Sequence, residues 1–64
     1  MGIKIDKKKL TAAIDAKGFT LYQFLDIIDM SLATYYRWLR EGFPALAVLG
    51  LCQALDVEEE AIKE

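Results

Sequence analysis

Between Thr20 and Gly42 the chain has room for two short helices and a turn. Thr20 is a good helix N-cap, and Gln23, three residues on, completes a capping box. Phe19 before the cap and Phe24 at the fourth helical position match a hydrophobic staple. Four side chains thus agree on one start point. The spacing predicts a core face of Phe24, Leu25 and Ile28. Asp29-Met30 makes a turn, because Asp tolerates left-handed backbone better than most residues. Ser31 then caps a helix from about Leu32 to Arg40, and Gly42 ends it.

Three further short helices and no strands are expected around this pair. Asp6 caps the first, which runs to about Lys17 with Leu10, Ala13 and Ile14 on one face. Gly18 fits the left-handed position that stops it. Lys7, Lys8 and Lys9 in its first turn oppose the helix dipole, so helix stability does not explain them. Pro44 is pre-set for the first turn of a fourth helix with an apolar face of Val48, Leu49, Leu51, Cys52 and Leu55. A last short helix, Glu58 to Lys63, begins with three glutamates that suit its positive end. Period-two alternation occurs only at Gly2 to Asp6, where Ile3 and Ile5 can pair with a partner's edge or fold back on the core.

Composition removes several classes of function. Sixty-four residues give one domain, 1–64, that buries only ~60% of its unfolded surface. The 55% hydrophobic content argues against disorder, and small apolar chains often gain stability by oligomerising. Cys52 is alone and there is no His, so no intrachain disulfide and no Cys/His zinc site is expected. A reducing, cytoplasmic setting fits. No signal peptide and no membrane helix is expected, since no apolar run approaches ~20 residues. No nucleophile stands beside a base and the glycines are scattered, so no enzyme, cofactor or small-molecule substrate is expected. Residues 1–40 carry seven basic and four acidic groups, and residues 41–64 one basic and six acidic. Basic charge therefore lies on the half that holds the Thr20–Gly42 pair, unless both halves are ordinary solvated faces.

Two short helices across a tight turn, the second carrying Tyr35, Tyr36, Arg37, Trp38 and Arg40, have the shape of a helix-turn-helix. Over nearly its whole length the chain resembles the Cro and phage-repressor family of such proteins. Thr20, Gln23, Ser31, Thr34, Arg37 and Trp38 fit the family's cap, first-turn and anchor slots, and LCQALDVEEEAI resembles its fourth-to-fifth helix passage. The resemblance implies a compact all-α, five-helix, lambda-repressor-like domain with the motif in helices 2 and 3. Four positions depart from the family pattern. Leu25 stands where a small residue is usual, Asp29 where Gly is, Tyr35 where Ile or Val is, and Leu21 where a phosphate-touching Gln is. Larger side chains between the two helices imply a shifted packing.

Carried over by position, the base-facing slots are Leu32, Ala33, Tyr36 and Arg37. Arg37 can make a bidentate contact to guanine, or stand as a surface arginine stacked on a neighbouring ring. Leu32 and Ala33 suit thymine methyls and a protein surface equally. Tyr36 suits phosphate or a protein interface. Trp38 points toward the core, and Tyr35 toward the core or its rim. Ser31 and Thr34 can meet phosphate at the helix start, with Arg40 and Lys7 to Lys9 adding contacts. Phe43, Ala45, Leu46 and Val48 belong to a segment richer in apolar residues than one core-facing stripe needs. They either meet a dimer partner or are wrapped inside the bundle. A homodimer would set two reading helices one DNA turn apart, ~34 Å. The expected function is a sequence-specific DNA-binding regulator in a phage genetic switch. The alternative is an antirepressor-like module that docks on a partner repressor, favoured by the acidic pI near 5.0.

Overall fold

A computed structural model describes residues 2–64 as an all-helical bundle, 30 × 24 × 19 Å. Four α-helices follow one another: α1 Lys7–Ala16, α2 Leu21–Ile27, α3 Leu32–Glu41 and α4 Ala45–Leu55. A single 3₁₀ turn, Glu59–Ala61, stands in place of the expected fifth helix. No helix among the described residues is long and apolar enough to cross a membrane.

The helix starts follow from local chemistry. Lys9 N–H donates to Asp6 Oδ1 at 3.1 Å and caps α1. Both bonds of the capping box form at α2: Thr20 N–H to Gln23 Oε1 at 2.9 Å, and Gln23 N–H to Thr20 Oγ1 at 3.2 Å. The staple rings, Phe19 and Phe24, lie 6.4 Å apart. Thr34 N–H donates to Ser31 Oγ at 3.1 Å and caps α3. Three of the four stops share one device, a left-handed residue followed by a six-to-one backbone bond. Gly18 at φ 80° closes α1, with Phe19 N–H on Ile14 C=O; Asp29 at φ 55° closes α2, with Met30 N–H on Leu25 C=O; and Asp56 at φ 55° closes α4, with Val57 N–H on Cys52 C=O.

The core is one cluster of Ile5, Leu10, Ile14, Phe24, Leu25, Tyr35, Phe43, Val48, Leu51, Leu55 and Ile62. Leu25 and Tyr35, two of the departures from the family pattern, are both buried in it. Ile3 and Ile5 fold back on their own chain. Ile3 pairs with Phe43 through two 2.8 Å backbone bonds, and Ile5 forms a bridge with Lys63. Residues 2–6 thus tie the α3–α4 link to the last residues of the bundle. Gly2 and Gly42 meet backbone to backbone there, and a Cβ on Gly2 would lie 2.5 Å from the Gly42 carbonyl carbon.

The sequence expectations need three corrections. Phe43 and Val48, expected as partner contacts, are fully buried. Phe43 is clasped by Ile3 and packs edge-on against Tyr35 and Trp38, at 6.3 and 5.8 Å between ring centres. Val48 shares the inward stripe of α4 with Leu51 and Leu55. Leu49, expected to face the core, is exposed. The Glu58–Lys63 helix shrinks to one turn because its far end is recruited elsewhere: Ile62 C=O accepts from Asp6 N–H at 2.8 Å, and Ile5 bridges to Lys63.

Candidate nucleic-acid interface

Helix α3 divides into two faces. Tyr35 is buried, and Leu32, Trp38 and Leu39 pack half-buried against the core. Ala33, Tyr36, Arg37 and Arg40 are exposed at i, i+3, i+4 and i+7, which places them on one outward stripe. Leu32, expected to face bases, is therefore turned to the core side. The apolar head expected of this surface reduces to Ala33 alone.

The first turn of α3 is set by its cap. Ser31 Oγ donates to Thr34 Oγ1 at 2.8 Å while accepting from Thr34 N–H. The Ser31 proton is used internally, which leaves the Thr34 hydroxyl proton for an outside acceptor. That hydroxyl sits beside the positive end of the helix dipole.

Basic side chains gather along the same helix. Lys7 Nζ lies 5.8 Å from the centre of the Tyr36 ring, so the start of α1 stands over the middle of α3. Lys4 Nζ donates to the Arg40 carbonyl in the last turn of α3. Arg40 meets Glu41 at 3.5 Å, but both are well exposed, and such a pair yields readily to a phosphate. Arg37 forms no ion pair among the described residues. Lys9, by contrast, turns away and donates to Lys63 C=O at 3.2 Å. Of the lysine run, Lys7 is the one shown against α3.

Lys4 was not among the residues expected at this site. The signal was present: in GIKID a side chain between two inward isoleucines must point outward. What the sequence lacked was the position of the strand-like segment, which places Lys4 at the end of α3.

The tail meets the N-terminal segment, where Glu64 N–H donates to Lys4 C=O at 3.2 Å. Lys63 meets Glu60 at 3.0 Å and Glu59 at 3.6 Å, and the Glu60 hydrogen bond and charge hold its ammonium above the usual lysine range. Burial, then the Glu59 charge, pushes the Cys52 thiol up, so it stays protonated at neutral pH and is a poor nucleophile. No cluster of three His, Cys, Asp or Glu able to hold a metal occurs among the described residues. Of the expected partner-facing residues, Ala45 and Leu46 are exposed at the start of α4. No family model, no curated protein and no solved structure matches this chain.

Proposed function

We propose that the chain is a sequence-specific DNA-binding regulator of the Cro/repressor type. Helices α2 and α3 serve as its helix-turn-helix, and it works as a homodimer in a phage-type genetic switch. The observation that carries this reading is the α3 stripe. Ala33, Tyr36, Arg37 and Arg40 face outward together, and Lys7 and Lys4 stand against the same helix. In this reading α3 enters the major groove. Arg37, which no carboxylate among the described residues holds, meets guanine N7 and O6. Ala33 offers its methyl to thymine. Lys4, Lys7 and Arg40 take phosphates on either side, with the Tyr36 and Thr34 hydroxyls as further donors. The acidic tail lies outside the contact. The net charge of −2 matters less here than where the cations gather.

A gel shift with random and genomic duplexes at low and moderate salt tests the reading. Three phosphate-contacting cations per domain should give a slope of log K against log salt of about −3 for each bound domain. Absence of binding at low salt would contradict it. That result would favour the rival use of the same stripe, docking on a partner repressor, for which the exposed Tyr36 and Ala33 are suited.

A further inference from the structure

Helix α3 ends unlike the other three. Gly42 N–H donates to Trp38 C=O at 2.7 Å, and that is the last bond of the helix ladder. The next amide, Phe43 N–H, leaves the helix and donates to Ile3 C=O at 2.8 Å. Pro44 follows, and proline has no N–H to give. Pro44 stands four places after Arg40, so the helix cannot close a bond onto the Arg40 carbonyl. Lys4 supplies that bond from 36 residues away: its Nζ donates to Arg40 C=O at 2.6 Å. A cation is favoured there, at the negative end of the helix dipole.

The backbone that carries Lys4 is pinned on both sides. Ile3 exchanges two 2.8 Å bonds with Phe43. Lys4 C=O accepts from Glu64 N–H at 3.2 Å, and Asp6 N–H donates to Ile62 C=O at 2.8 Å. Ile5 between them is buried, and alternation sends the Lys4 side chain the other way. The segment thus hangs between the α3–α4 link and the tail, with one ammonium directed to the end of α3.

We infer that Lys4 is a positioning residue for α3: its ammonium completes the missing stop and fixes the last turn, from which Arg37 and Arg40 project. An ammonium has three N–H groups, so one bond to the carbonyl leaves two for a phosphate. The tail enters the same chain of contacts, because Ile62 and Glu64 hold the backbone on either side of Ile5. The consequence for binding rests on the DNA-binding reading given above. The stop itself is tested without DNA, so its failure and the failure of DNA reading are separable.

Amide hydrogen exchange on the free, full chain decides it. Lys4→Met keeps an unbranched side chain and removes the donor. Exchange at Arg40, Glu41 and Gly42 should then rise about 5-fold. Ile3 and Phe43 should keep their protection, because their backbone bonds remain. Lys4→Arg, which keeps donors, should return the protection. Lys7→Met, which takes the same charge from the same helix, should leave Arg40 to Gly42 unchanged. Unchanged exchange in Lys4→Met overturns the inference. So does an equal rise at Ile3 and Phe43, which would mean that the whole segment has come loose. On DNA, Lys4→Met and Lys7→Met each lose a phosphate contact, which flattens the salt slope by about 1. Extrapolated to about 1 M salt, the Lys7→Met loss should vanish and a loss of about 5-fold should remain for Lys4→Met. Equal affinities there overturn the positioning of Arg37 and Arg40. A chain that shows the exchange pattern but binds no DNA contradicts the DNA reading and supports the stop.

Discussion

Asp29 holds φ 55° at the stop of α2, a conformation that favours glycine. The backbone bond from Met30 to Leu25 fixes it there. Asp29→Gly should therefore stabilise the fold by roughly 0.5–1 kcal/mol, read as a higher urea midpoint. Tyr35 lies at the other extreme of exposure. Burial first, and then Tyr36, pushes its phenol from 10.0 up to about 12. The neutral phenol is the form the fold favours. Its contribution is complete below pH 10, where the unfolded chain also keeps the proton, and is lost as pH rises through the folded value near 12. The loss should be on the order of 2 kcal/mol. The check is the difference between wild type and Tyr35→Phe in denaturant midpoints at pH 9 and above. Wild type should lose stability relative to Tyr35→Phe as pH rises above 10. Caps and stops were the most legible residues in the sequence: Asp6, Thr20, Gln23, Ser31 and Gly18 act on backbone within a few positions, so spacing alone finds them. Phe43 was not legible, because its burial depends on Ile3, forty residues earlier in the chain.

At the scale of elements, legibility followed contrast. Helix α3 alternates polar and apolar residues with a clear period, and the Ala33–Tyr36–Arg37–Arg40 stripe could be placed, apart from Leu32. Helix α4 is apolar nearly all round, so periodicity could not say which leucine faces in. Val48 and Leu49 were expected on one apolar face, and only Val48, whose segment was left open between a partner and the bundle, is core. The short segment 2–6 was the hardest to read, since five alternating residues fix no partner. Its pairing rests on the Gly2–Gly42 approach. Gly42 also has φ 112° and ψ 149°, a region essentially confined to glycine. A Cβ there would lie 2.8 Å from the Gly2 carbonyl carbon. Gly42→Ala should cost about 1–3 kcal/mol from the backbone alone, before the clash. Hydrogen exchange at the Ile3 and Phe43 amides should rise with it. Thr20→Ala removes half a capping box and should cost about 1 kcal/mol, seen as a lower thermal midpoint.

For the molecule as a whole, the bundle sorts its charge. The N-terminal segment and the start of α1 bring Lys4 and Lys7 to α3, while the acidic tail pairs its glutamates with Lys63. Neither arrangement is visible as local sequence pattern beyond the overall asymmetry, because the lysines reach α3 only through the fold. Leu46 and Leu49 of α4 are exposed. In the DNA-binding reading proposed above, Arg37 reads a base. The direct measurement is the affinity of wild type and Arg37→Ala for a selected duplex and for random DNA, at one salt concentration. The expected result is a loss of about 1–3 kcal/mol on the selected duplex and a clearly smaller loss on random DNA. Equal losses on both would contradict base reading and reduce Arg37 to a phosphate contact.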